Sequence, residues 1–156
     1  MRPTDVEELA IGDPEHVALT NARRKAGAIT GDLAPGRRVL GVDTVVTLDG
    51  ELFGKPADAA AAAATLARLS GRTHRVLSGL VLLPVGERVA VTRVTFRPLT
   101  AAQIDRYVAT GEWRGRAGGY AIQERGAALV SRIEGDYTNV VGLPVAALLD
   151  LVPDLL

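Results

Sequence analysis

The chain has no cysteine. That excludes a disulfide frame, a thiolate nucleophile and any metal site built on sulfur. It also fits a cytoplasmic protein. Histidine occurs only as His16 and His74, far apart in sequence. Without cysteine they build no zinc site, and each reads as a structural or surface residue. No apolar run approaches the ~20 residues needed to cross a bilayer. The opening Met1-Arg2-Pro3-Thr4-Asp5 has no apolar segment of the signal-peptide kind. A charge of one sign is missing too, since 18 basic residues balance 18 acidic ones. Neither nucleic acid nor a membrane surface is therefore an expected partner. Gly54-Lys55 runs into Pro56 rather than Ser or Thr, so there is no Walker A loop. Gly115, Gly118 and Gly119 follow a helical stretch with the wrong spacing for a dinucleotide fingerprint. Ser70 and Ser78 lack the context of a nucleophile elbow.

What is present describes one globular domain. The chain has 156 residues, 47% of them hydrophobic, enough for a substantial core. Asp13-Pro14 reads as a helix start, an N-cap followed by proline in the first turn. That helix runs through Val17, Ala22 and Lys25 towards Ile29, and Gly31 and Pro35-Gly36 end it. A strand over Val39–Leu48 turns at Asp49-Gly50 into Leu52-Phe53. The alanine-rich stretch from Ala57 to Leu69 predicts a second helix with Gly71 behind it. Thr73–Pro84 and Val89–Phe96 predict a long antiparallel pair. Thr100 caps a third helix, which Thr110-Gly111 closes. Ala127–Ile133 reads as another strand, then come a Gly135-Asp136 turn and Val140-Val141, and Pro144 starts a last helix. Helices alternating with strands around one long hairpin predict an α/β fold with a mixed sheet.

Asp43 stands out because it interrupts the apolar run Val39-Leu40-Gly41-Val42 and Val45-Val46. A buried carboxylate must be paired, hydrogen-bonded or metal-bound, or it costs several kcal/mol. One reading puts Asp43 at an exposed strand end, accepting local backbone N–H bonds. The other holds it on a rigid strand facing a cleft, with Thr44 beside it and Lys55 returning on the next turn. Glu8, Lys25, Asp43, Lys55 and Gln123 together have the chemistry of a phosphate and metal site with a base reader. Carboxylates bind hard cations and take protons, ammonium groups hold phosphates, and an amide both donates and accepts.

The residues Gly41-Val42-Asp43-Thr44-Val45-Val46, Gly54-Lys55-Pro56, Leu69-Ser70-Gly71-Arg72-Thr73-His74, Tyr107-Val108-Ala109-Thr110-Gly111-Glu112, Ala117-Gly118-Gly119-Tyr120-Ala121-Ile122-Gln123 and Gly135 to Pro144 form an ordered series. The series resembles that of the Maf-like nucleotide pyrophosphatases. The resemblance implies a Maf/ITPase-like sheet flanked by helices, spanning residues 1–156 as a single domain. It also implies a homodimer and a divalent metal cation, Mg²⁺ or Mn²⁺. The implied reaction converts a nucleoside triphosphate and water to the monophosphate and pyrophosphate. Asp43 falls on the family's proton acceptor, Lys55 and Lys25 on its two lysines, and Glu8 on its acidic metal-side residue, so that Glu8 and Asp43 are the implied metal ligands. Thr44 and Gln123 fall on positions linked to substrate choice and look like the subgroup acting on dTTP and UTP. The family's opening strand and Ser-x-Ser-x-Arg-Arg loop have no counterpart here, so the chain looks N-terminally truncated relative to the family. Activity of the chain as written is then the open point, with Arg23-Arg24 or Arg114 and Arg116 as basic clusters to take over the loop's work. The alternative expectation is a catalytically impaired, septum-related regulatory protein that binds nucleotide without hydrolysing it.

Overall fold

The computed structural model describes residues 6–29 and 36–155. Expectations for Gly31 and Pro35 fall outside that range, whereas residues 6–10 form no helix or strand. The elements run α1 (Pro14–Gly27), β1 (Val39–Leu48), β2 (Glu51–Phe53), α2 (Ala59–Leu69), β3 (Thr73–Leu83), β4 (Gly86–Phe96), α3 (Ala101–Ala109), β5 (Val130–Glu134), α4 (Tyr137–Val141) and α5 (Val145–Leu151). The five strands form one sheet in the order β2-β1-β3-β4-β5. Every pair among them is antiparallel, so no parallel pair of a mixed sheet occurs among the described residues. The expected long hairpin is β3 with β4, in register from Thr73 opposite Thr95 to Leu82 opposite Gly86.

The ends of these elements follow from local chemistry. Asp13 caps α1 by accepting from His16 N, and Pro14 begins the helix. Asp49 and Gly50 both take positive φ, 53° and 82°, the backbone that a tight two-residue hairpin demands. Thr100 and Gln103 form a reciprocal capping box on α3. Asp58 caps α2 one residue past the expected start at Ala57.

One stretch differs from expectation, and a second, left without an element from sequence, proves helical. Ala127 and Ala128 belong to a 3-10 turn over Arg125–Leu129, and the strand begins only at Val130. Gly126 sits so tightly on Ala121 that an added Cβ would lie 2.4 Å from its carbonyl oxygen, and this packing turns the chain. Val140 and Val141, both β-branched, lie in helix α4, which Asp136 starts by accepting from Thr138 N. Tertiary packing overrides their strand preference.

The sheet carries a different layer on each face. One core holds Val46, Val76, Val94 and Phe96 from the strands against Leu66, Leu69, Ile104 and Tyr107 from α2 and α3. Each such side chain contributes about 1.5–3 kcal/mol when fully buried. The smaller core sets Ala22 and Ala26 of α1 against Val39 and Val81. Here the helix lies almost on the backbone of the sheet. A Cβ on Gly41 would lie 2.2 Å from Ala22 O, and one on Gly79 would lie 2.4 Å from Ala18 O. Glycine in both strands and alanine at four-residue intervals on α1 permit that approach.

Candidate active site

Asp43 stands in the middle of β1, directly opposite Gly79 on β3. It shares a face with Gly41, since strand side chains alternate. That is the face on which α1 rests, so the close helix brings Asn21 and Lys25, one turn apart, over the carboxylate. Lys25 Nζ donates to Asp43 Oδ1, and Asn21 Nδ2 donates to Asp43 Oδ2 at 3.0 Å. Asp43 is only 6% exposed. The exposed-end reading is therefore overturned: the carboxylate is buried mid-strand and satisfied by side chains of α1.

Glu8 reaches the same place from the segment before α1. Asn21 fixes that segment, accepting from Leu9 N at 2.7 Å and donating to Leu9 O at 3.1 Å. Glu8 Oε1 then lies 2.7 Å from Lys25 Nζ, and Oε2 lies 3.4 Å from Lys55 Nζ. Burial works against the charge of Lys25, but hydrogen bonds and attraction from Asp43 and Glu8 outweigh it, and its pKa rises above the ordinary value. Burial likewise opposes ionisation of Glu8, yet Lys25 and Lys55 hold its pKa below the usual carboxylate value. Both shifts favour the charged forms, Lys25 as ammonium and Glu8 as carboxylate. Of the 18 basic residues in the chain only Lys25 and Lys55 are lysines, and both are here.

Thr44 points to the opposite face of β1. Its hydroxyl is 2.8 Å from Ser78 Oγ, and Ser78 donates in turn to Asn139 O of α4 at 3.4 Å. Two adjoining cavities nevertheless reach both faces, because β2 pairs only with Val46–Leu48 of β1. The first, about 300 Å³, is lined by Lys25, Thr44, Arg116, Tyr120 and Gln123 among others. The second, about 460 Å³, is lined by Glu8, Asn21 and Leu52 among others. Asp43, Thr44, Lys55 and Ala117 line both and so form their common boundary. All the residues expected at the site, Glu8, Lys25, Asp43, Thr44, Lys55 and Gln123, therefore line one cleft. Gln123 is exposed on its wall and makes no side-chain hydrogen bond among the described residues.

The Tyr120–Gln123 stretch is held from behind. Tyr107 Oη accepts from Ala121 N at 3.0 Å, and Tyr120 Oη is 2.8 Å from Nε2 of buried His74. His74, Phe96 and Tyr120 meet edge to face, with ring centroids 4.8–5.5 Å apart. Burial alone takes His74 down to about 4. It also pushes the Tyr107 hydroxyl up to about 12, with Glu112 adding to it against the Ala121 bond.

Whether these residues suit a divalent ion can be judged from their donors. Glu8 and Asp43 already converge hard carboxylate oxygens on one positive charge, the Lys25 ammonium. No third acidic or histidine ligand joins them among the described residues. That set fits a Mg²⁺-like ion, which keeps waters and completes its shell with substrate phosphate oxygens.

Asn21 was not singled out as a site residue from sequence, and Arg116 was named only with Arg114 as one of two basic clusters to stand in for the family's opening loop. Asn21 left a legible sign, standing four residues before Lys25 on one helix face. Arg116 had none beyond its charge.

Comparison with known proteins shows the chain's family. The Maf-like protein family matches residues 1–155. A protein of Moorella thermoacetica named dTTP/UTP pyrophosphatase is 50% identical over 143 residues, 88% of this chain and 71% of its own. One of the same name from Pyrococcus furiosus is 42% identical over 160 residues, 97% of this chain and 82% of its own. Another from Cupriavidus pinatubonensis is 50% identical over 146 residues, 92% and 70%. With a match over nearly its whole length and relatives this similar, the chain belongs to the Maf-like family.

Proposed function

We propose that this protein is a nucleoside triphosphate pyrophosphatase, a hydrolase that converts dTTP and UTP to their monophosphates and pyrophosphate. The observation that carries the reading is the boundary formed by Asp43, Thr44, Lys55 and Ala117 between a cavity bearing Gln123 and one bearing Glu8. A nucleoside in the first cavity and a polyphosphate crossing to the second would bring the α-phosphorus to Asp43. The relatives' printed names support the same substrates.

In this reading Asp43 is the general base. It takes a proton from water as the water oxygen bonds to the α-phosphorus, and the bond to the β-phosphate bridging oxygen breaks. Incoming phosphates compete for the Lys25 ammonium, which frees Asp43 Oδ1 to face the water. Asn21 keeps the other oxygen oriented. Lys25 and Lys55 hold the phosphates as point charges. Glu8 and Asp43 are the residues that would hold a divalent cation, Mg²⁺ or Mn²⁺. Such an ion neutralises phosphate oxygens and the leaving group. Gln123 and Thr44 face the base, where its unpaired amide is free to read an edge. The homodimer that the resemblance implies, and a cytoplasmic location, belong to the same reading. Tyr137, Val141 and Val145 are exposed apolar side chains on α4 and α5 that a second copy can cover.

The test is release of pyrophosphate, rather than orthophosphate, from dTTP, UTP, GTP and ATP with Mg²⁺ or Mn²⁺. Pyrimidine triphosphates should be preferred, because a wrong base leaves the Gln123 amide and the Thr44 hydroxyl without a matching partner. Equal kcat/KM for GTP and dTTP would remove the base-reading role. No pyrophosphate from any of them, with nucleotide binding intact, would favour the non-catalytic alternative.

A further inference from the structure

Among the described residues, the cleft has one cation left over. Glu8 and Asp43 bring two negative charges, Lys25 and Lys55 bring two positive ones, and the four are paired with one another. A triphosphate entering this balanced set needs positive charge that is not already engaged. Arg116 also lines the first cavity. It is exposed, and among the described residues no carboxylate pairs with it.

Its backbone is well placed. Arg116 N donates to Trp113 O at 3.1 Å, and Arg116 O accepts from Gly119 N at 3.0 Å. Two residues on, Gly118 N donates to Gly54 O at 3.1 Å. That bond joins the Arg116 loop to the turn carrying Lys55. Ala117, next to Arg116, lines both cavities. The other candidate arginines are occupied elsewhere. Arg23 pairs with Glu87 at 2.5 Å, Arg24 donates to Glu7 O at 2.5 Å, and Arg114 lies over the Trp113 ring at 4.8 Å. None of the three lines either cavity.

We infer that Arg116 is a phosphate-binding residue of this site, its guanidinium taking phosphoryl oxygens beside Lys55. The inference rests on the proposed polyphosphate substrate. A guanidinium suits the role because its planar fork gives two parallel hydrogen bonds to phosphate, which an ammonium does not.

The experiment compares the full chain with Arg116→Gln, Arg116→Lys and, as control, Arg114→Gln. It reads KM and kcat for dTTP, and separately the rise in Tm produced by inorganic triphosphate. Arg116→Gln should raise KM by roughly 10-fold or more and lose most of the triphosphate-induced rise, with the ligand-free Tm unchanged. Arg116→Lys should recover part of both, and Arg114→Gln should match the parent. A KM within twofold of the parent in Arg116→Gln overturns the inference. So does an equal loss in Arg116→Lys accompanied by a lower ligand-free Tm, which marks a structural role. If the parent hydrolyses no nucleoside triphosphate, the proposed function fails, and the triphosphate shift alone decides on Arg116. A shift present in the parent and absent in Arg116→Gln upholds it; a shift unaltered by the substitution, or absent from the parent, overturns it.

Discussion

Asp43 owes its position to a missing side chain on the neighbouring strand. Gly79 opposite it leaves room for α1, and α1 supplies the two donors that make a buried carboxylate tolerable. Replacing Asp43 with Asn keeps its size and removes the base. We expect kcat for dTTP to fall by roughly 10²-fold or more, while Tm stays near that of the parent because Lys25 retains Glu8. Turnover by the Asn variant at a rate close to the parent's would show that another group takes the proton. Much of this site was legible at the residue scale, because Asp43 broke an apolar run and Lys55 followed a turn. Asn21 escaped notice, and Arg116 stood out only as one of several basic residues, since their meaning lies in three-dimensional partners. An asparagine in a helix is ordinary until it is seen holding Leu9 and Asp43 together. An arginine among many is ordinary until its neighbours prove to be paired.

At the scale of elements, the decisive contact is α1 on β1 and β3. The helix and both strands were readable from caps, periodicity and the Asp49-Gly50 turn. Their close packing was not, because Gly41 and Gly79 are 38 positions apart and only pairing aligns them under Ala22 and Ala18. The same limit explains the misread start of β5, where a tertiary contact, not local preference, sets the backbone. Gly79→Ala should therefore act through the helix. The added carbon must push Ala18 away, at a cost of about 1–3 kcal/mol. Calorimetry should find Tm lower by several degrees. The rate should fall as well, since Lys25 and Asn21 move with α1. Gly27→Ala, whose Cβ meets nothing within 4 Å among the described residues, is the matched control. Equal behaviour of the two variants would mean that the helix does not depend on this contact.

For the molecule as a whole, His74 makes stability depend on pH. Its Nε2 meets Tyr120 Oη and its Nδ1 has no partner among the described residues, so a charged ring would leave an N–H unsatisfied in the core. The folded pKa, about 4, lies below the unfolded value of 6.5. Between those values the unfolded chain binds the extra proton, so stability is full above about pH 6.5 and is lost as pH falls towards 4. The size is about 3 kcal/mol. Denaturant unfolding at several pH values should show this slope, and His74→Gln, which keeps a partner for Tyr120, should flatten it. An unchanged slope in that variant would assign the effect to other groups. The two lysines carry a consequence for chemical labelling. Since Lys25 and Lys55 are the chain's whole stock of lysine, an amine-directed reagent finds only them and the α-amino group. The side chain of Lys55 is 51% exposed and that of Lys25 only 20%. Acylation should therefore tag Lys55 well before Lys25, and bound triphosphate should shield it, as peptide mapping by mass spectrometry would read. Random amine coupling would strike both lysines of the proposed cleft, so immobilisation through amines should lower turnover sharply while coupling through carboxylates remote from the cleft spares it.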